Sequence, residues 1–153
     1  MKNYELTPNI HHYLAIEMNM QTWNLLSKED RNGQDNHRMM AFAFASHYHW
    51  YRSPSWQPEN AQRGEWLISH VFAVLGKGEK ALEHAEKCLE LTEEHKFEDF
   101  DLAYAFEAMA RAYKILDDKA KHQEYYQLAE EAGNKIVQEQ DRKIFFDDLK
   151  GYK

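Results

Sequence analysis

Between Glu65 and Leu91 the chain reads EWLISHVFAVLGKGEKALEHAEKCLEL, a pattern of two helices joined at Gly76. Apolar residues recur at helical steps on both sides of that glycine, and a glycine just past a helix end takes the left-handed conformation that other residues resist. On the second helix the inward stripe is Ala81, Leu82, Ala85, Cys88 and Leu89. Small side chains in such a stripe let two helix axes approach closely. The first helix recurs less clearly in AFEAMARAYKILDD, where Tyr113 stands 41 residues after Phe72. A unit that repeats at this period constrains the chain to a stack of helices.

Composition closes off the main alternative. Val, Ile and Thr supply only 12 of 153 residues, too few for a sheet-based core, because strands draw heavily on β-branched side chains. Ala, Leu, Met, Glu, Lys and Gln dominate, and these lose little side-chain entropy in a helix. The length suits one compact domain with no dividing linker.

The remaining helices follow from their boundaries. Thr7 before Pro8 is a helix entry, since Thr can accept the orphan amide bonds and Pro has no amide to satisfy. This first helix runs to about Ser27, with Ile10, Leu14, Met18 and Leu25 near one stripe and Tyr13, Met20 and Trp23 widening it, so one side is expected to be well buried. KEDRNGQDN breaks the pattern at Gly33. A second helix from about Asp35 to Arg52 carries Met40, Ala43, Phe44, His47, Tyr48 and Tyr51 on one stripe and Met39, Phe42, Ser46 and Trp50 on its neighbour. SPSWQP, with Pro54 and Pro58, cannot continue a helix. Pro58 opens a third, with Ala61, Ile68, Phe72 and Leu75 inward, and a fourth covers Glu79 to Glu94. In the fifth, Leu102, Ala105, Phe106, Met109, Tyr113 and Leu116 fall at steps of three and four. Asp99 and Asp101 open it, where the helix dipole favours carboxylates. Tyr125, Tyr126, Leu128, Ala129, Ala132 and Ile136 mark a sixth, and Ile144, Phe145 and Leu149 a short seventh. The expected organisation is a helix pair over 8–52, hairpins over 58–95 and 99–137, and a capping helix over 139–150.

A net charge of −7 argues against an extended phosphate-binding face. Nucleic acid is therefore not the expected partner. The single cysteine, Cys88, excludes an internal disulfide and fits a reducing compartment, so a cytoplasmic address is expected. MKNYELTPNIHHYLAIEM lacks the uninterrupted apolar core of an export signal, and no run of apolar residues is long enough to cross a membrane.

Ile68, Ser69, Phe72, Gly76, Ala81, Leu82 and Cys88 match the slots of the tetratricopeptide pattern, and Met109, Ala110 and Tyr113 match them again. The chain resembles a divergent member of that family. In the second copy Asp117 replaces the turn glycine, the following helix is expected to align once about three residues are inserted, and the terminal proline of the pattern is missing. The chain also resembles a group of uncharacterised bacterial proteins carrying strings like ASHYHW, RGEW, HAEKCLEL and FDLAYAFEA, found here at 45–50, 63–66, 84–91 and 100–108. The resemblance implies an all-α array of about seven antiparallel helices in a right-handed superhelix. It supplies no catalytic residue.

His47 and His49 are two apart, about 200° around a helix, and the adjacent His11 and His12 are separated by about 100°. Neither spacing places two metal ligands on one face, so no metal and no cofactor are expected. His84 and Cys88, one turn apart, could form a base and a thiol. Cys88 falls on a small inward slot, however, where a thiol serves as a compact apolar group.

The tetratricopeptide resemblance implies a concave groove lined by the first helix of each hairpin. Carried over, it places Arg63, Trp66 and His70 from one hairpin and Tyr104, Glu107, Arg111 and Lys114 from the next along one surface. Trp, Tyr and Arg are the side chains that most often dominate binding. The blander reading has Trp66 packing against the second helix and Glu107 and Arg111 forming a solvated pair. The expected function is a noncatalytic module that binds a protein or peptide. Self-association is a further expectation from Trp50, Tyr51 and Trp56 near the proline break. The alternative is a small-molecule or metal-dependent enzyme with a pocket between helices two, three and five, lined by His47, Trp50, His70, Glu107 and Arg111.

Overall fold

The computed structural model describes residues 7–153, and among them every regular element is helical. The first six residues, part of the stretch read for an export signal, lie outside the described residues. The helices are α1 (Pro8–Leu26), α2 (Gly33–Arg52), α3 (Pro58–Val74), α4 (Gly78–Glu94), α5 (Asp99–Ile115), α6 (Lys119–Gly133) and α7 (Glu139–Lys150). None of them is long and apolar enough to cross a membrane. The chain forms two compact units, one ending at Gly64 inside α3 and the other spanning Glu65–Lys153.

In the first unit α1 packs on α2 through small residues. Ala15, Thr22, Met39, Ala43 and Ser46 are buried, and the Ser46 hydroxyl donates to the Ala15 carbonyl at 2.7 Å. This narrow line of contact overturns the expectation of a broadly buried α1. Tyr13, Met20 and Trp23 are 59%, 51% and 41% exposed, and Phe44, Tyr48 and Tyr51 of α2 are exposed as well. Helices that meet over Ala and Ser come close together, so larger side chains flanking the line are left outside it.

The helix entries also differ from expectation. Thr7 is extended before α1, but its side chain makes no capping hydrogen bond. The cap forms instead at α2, where Asn32 Oδ1 accepts from the Asp35 amide at 2.9 Å and Asp35 Oδ2 accepts from the Asn32 amide at 3.3 Å. Lys28 Nζ donates to the same carboxylate at 2.6 Å. The reciprocal pair is a capping box with Asp in the place usual for Glu.

In the second unit α5 is the central element. It packs against α4 and α6, and α7 packs on both α5 and α6. Ala103, Ala105, Ala108, Ala110 and Ala112 are all fully buried, so α5 is enclosed on most of its circumference. One cluster gathers Tyr126, Ala129, Ala132, Ile136, Phe145 and Leu149 around Ala103 and Ala110, and another gathers Trp66, Leu82, Leu89, Tyr113 and Tyr125 around Ala85, Ala108 and Met109. Leu116, expected inward, lies at the end of the helix and is 38% exposed.

The 41-residue period is written into the turns. After α3, Lys77 N donates to Phe72 O and Gly76 N to Ala73 O, and after α5, Asp118 N donates to Tyr113 O and Asp117 N to Lys114 O. Each bond of the second turn lies 41 residues beyond its counterpart. Gly76 has φ of 70°, and Asp117, in the glycine's place, has φ of 58°. Aspartate is among the few side chains that tolerate this conformation. The helices that follow the two turns also start 41 residues apart, at Gly78 and Lys119. Ala85, Cys88 and Thr92 of α4 and Tyr126, Ala129 and Gly133 of α6 are buried at corresponding positions. With the expected three-residue insertion the same positions of α4 correspond to Ala129, Ala132 and Ile136, which are buried as well.

Among the glycines of this unit, Gly133 leaves the least room for a side chain. A Cβ there would lie 2.4 Å from Phe145 Cε1, whereas one at Gly33 would meet nothing within 4 Å. Phe145 is fully buried and cannot swing away. Gly133→Ala should therefore lower stability by about 1–3 kcal/mol through overpacking, measured by urea unfolding, while Gly33→Ala should leave the midpoint nearly unchanged.

Candidate functional site

The 41-residue period brings equivalent positions of α3 and α5 into contact. Trp66 Nε1 donates to Glu107 Oε2 at 3.1 Å, and Arg111 Nη1 donates to His70 Nδ1. Both pairs are 41 apart in sequence. Along α5, Glu107 and Arg111 are separated by one turn, and Arg111 Nη1 lies 3.4 Å from Glu107 Oε1. Both side chains are only 1% exposed. They form neither a solvated pair nor part of an open surface, as expected from the sequence, but an ion pair enclosed by the fold.

Aromatic rings complete the enclosure. The Trp66 ring stacks on His70, with centroids 5.2 Å apart and planes 7° apart. Tyr104 meets the edge of Trp66 at 5.5 Å. The Arg111 guanidinium lies 5.3 Å from the centroid of Trp66 and 5.3 Å from that of Tyr152. Each ring presents its electron-rich face to the cation, an attraction that strengthens where water is excluded. The Tyr104 hydroxyl donates to Asp148 Oδ2 at 2.6 Å, and Lys114 Nζ donates to the Lys153 carbonyl at 2.9 Å. Tyr152 and Asp148 did not figure in the sequence reading. They follow or end the short seventh helix, outside the repeat whose period revealed the other members.

The electrostatics follow from burial. His70 is pushed down to about 2, first by burial and then by the positive Arg111 beside it. The ring is thus neutral, and since guanidinium only donates, Nδ1 is its acceptor nitrogen. Burial pushes Glu107 upward, and the charge of Arg111 pulls against it. The Tyr104 hydroxyl is held above its ordinary value by burial and by its bond to Asp148. The cluster is not saturated. Arg111 Nε and Nη2 and Glu107 Oε1 are buried and make no hydrogen bond among the described residues, although Oε1 lies within the ion pair.

The other predicted residues fall elsewhere. Arg63 is exposed and belongs to the first unit, as do His47 and Trp50. His47 packs against α3, where a Cβ at Gly64 would lie 2.1 Å from its Nδ1. Trp50 meets His12 edge-on at 5.3 Å, and Tyr51 stacks on Trp56 at 6.0 Å. His11 Nδ1 and His49 Nδ1 are 2.8 Å apart, bridging α1 and α2. Burial, and then His11 itself, lower the proton affinity of His49. Among the described residues no three of His, Cys, Asp and Glu are grouped to hold a metal ion.

The thiol–base pairing does not form. His84 Nδ1 lies 2.6 Å from Glu65 Oε2, and its ring stacks on Phe72 at 5.6 Å. Cys88 is fully buried, and burial holds its thiol well above the ordinary range. No protein-family model, curated protein or solved structure matches the chain.

Two outcomes test this geometry. Native Cys88 should resist iodoacetamide at neutral pH and react only once denaturant is added, followed by mass spectrometry. His70 binds its proton less readily folded than unfolded. Its contribution to stability is therefore complete above the unfolded value of 6.5 and is lost as pH falls from there toward about 2. The loss cannot exceed about 1.4 kcal/mol per pH unit for one group. Urea unfolding of His70→Asn, which keeps an acceptor that does not titrate, should show a shallower decline than wild type between about pH 6.5 and pH 5.

Proposed function

We propose that the helices stack as a right-handed, tetratricopeptide-like array of antiparallel neighbours, and that the second unit is a noncatalytic module binding an extended segment of a partner protein. Support for the array comes from the period. Side chains 41 apart touch across α3 and α5, and the two turns repeat their hydrogen bonds at the same interval.

The observation that carries the binding reading is the placement of 151–153. This stretch of main chain lies on α5 with one aromatic ring over Arg111 and one carbonyl on Lys114. A face that seats a tyrosine and the following carbonyl of its own chain has the chemistry to seat the same groups of another. The Arg111 guanidinium lies beneath that ring and would be met by polar atoms of an incoming segment. Beyond Lys114 the surface continues into a depression of about 200 Å³, bordered by Tyr113, Asp117, His122 and Lys153. In this reading Tyr152 competes with the partner. Removing the tyrosine frees the seat.

The test is a synthetic peptide array probed with wild type and with Tyr152→Ala. Tyr152→Ala should retain peptides containing Tyr, Phe or Trp at least about tenfold more tightly than wild type, and Lys114→Ala introduced into it should weaken that retention by about 1–2 kcal/mol. Equal retention of peptides with and without an aromatic residue would refute the assignment.

A further inference from the structure

Helix α1 is apolar on two sides, and among the described residues only one of them is fully buried. Ala15 and Thr22 are buried toward α2. The other side carries Tyr13, Ile16, Met20 and Trp23, which are 59%, 41%, 51% and 41% exposed. Their spacing is three, four and three, the seam of a helix that packs lengthwise on another helix. The helix PNIHHYLAIEMNMQTWNLL has one formal charge, Glu17, in a chain that is 29% charged. Loss of charge with enrichment of aromatic residues and Met is the composition of an interface core rather than of a solvated surface.

The order of the seam selects its occupant. Tyr13 and Trp23 lie at equal distances from position 18, as do Ile16 and Met20. The seam reads aromatic, aliphatic, aliphatic, aromatic in either direction. A twofold axis at the level of Met18 would set Ile16 of one helix against Met20 of the other, and Tyr13 against Trp23. An interface between identical chains needs this self-complementarity, and a different partner does not. The four side chains, each about half exposed, present on the order of 400 Å² per copy, given roughly 150–250 Å² for an aromatic residue. Burying that area on both copies, together with the flanking helix surface, reaches the lower end of specific interfaces.

We infer that the protein self-associates through this seam, α1 against α1 of a second copy and antiparallel, as a dimer that forms at micromolar concentration. The inference rests on the first unit alone and is independent of peptide binding by the second.

Sedimentation velocity across a dilution series should show wild type passing from dimer to monomer. Met20→Glu, a change at an exposed position, should remain monomeric over the same range while its circular dichroism and melting temperature stay at wild-type values. Under mild oxidation, Ile16→Cys/Met20→Cys should form a covalent dimer, whereas Ile16→Cys alone should not. Wild type that stays monomeric throughout, or a folded Met20→Glu protein that still dimerises, would overturn the proposal. Cross-linking by Ile16→Cys alone would overturn the antiparallel register.

Discussion

The second unit depends on the close approach that alanines allow along α5. Ala103, Ala105, Ala108, Ala110 and Ala112 are fully buried, and none projects far enough to hold a neighbouring helix away. With α4, α6 and α7 drawn against it, α5 has almost no solvated side. Glu107 and Arg111, within the enclosed length of the helix, have nowhere to go but inward, whereas Lys114 at its end stays exposed. Helix packing, not local charge pairing, puts an ion pair into the interior.

A buried ion pair is costly to desolvate, and Coulomb attraction alone rarely offsets that cost. Here the compensation is shared among several neighbours. Trp66 donates to the carboxylate, His70 accepts from the guanidinium, and two rings cover its faces. The same burial that disfavours charge keeps His70 neutral and so keeps it an acceptor. Arg111 therefore holds together residues of α3, α5 and the segment after α7.

Much of the fold was legible in sequence because it rests on local chemistry. Prolines, glycines and the three-to-four spacing of apolar residues located all the helices among the described residues to within a few positions. Asp117 was noted as an irregular substitute for glycine and adopts the glycine conformation. The failures are equally specific. Amphipathic spacing marked Tyr13, Met20 and Trp23 as apolar, but it could not say that a contact made over Ala15 and Ser46 would leave them outside. Trp66, His70, Tyr104, Glu107 and Arg111 do lie in contact, but the burial of Glu107 and Arg111 was not legible in the spacing.

By itself the sequence determined an all-helical chain, its turns, its 41-residue period and the set of side chains that one period brings face to face. These follow from backbone preferences and from spacing, which act over a few residues or repeat at a fixed interval. The tertiary structure alone decided which apolar stripe of α1 is used, that Glu107 and Arg111 lie out of water, and that Tyr152 rests on the guanidinium. Exposure and pairing depend on how closely helices distant in sequence approach, and that distance is a property of the assembled packing rather than of any one segment.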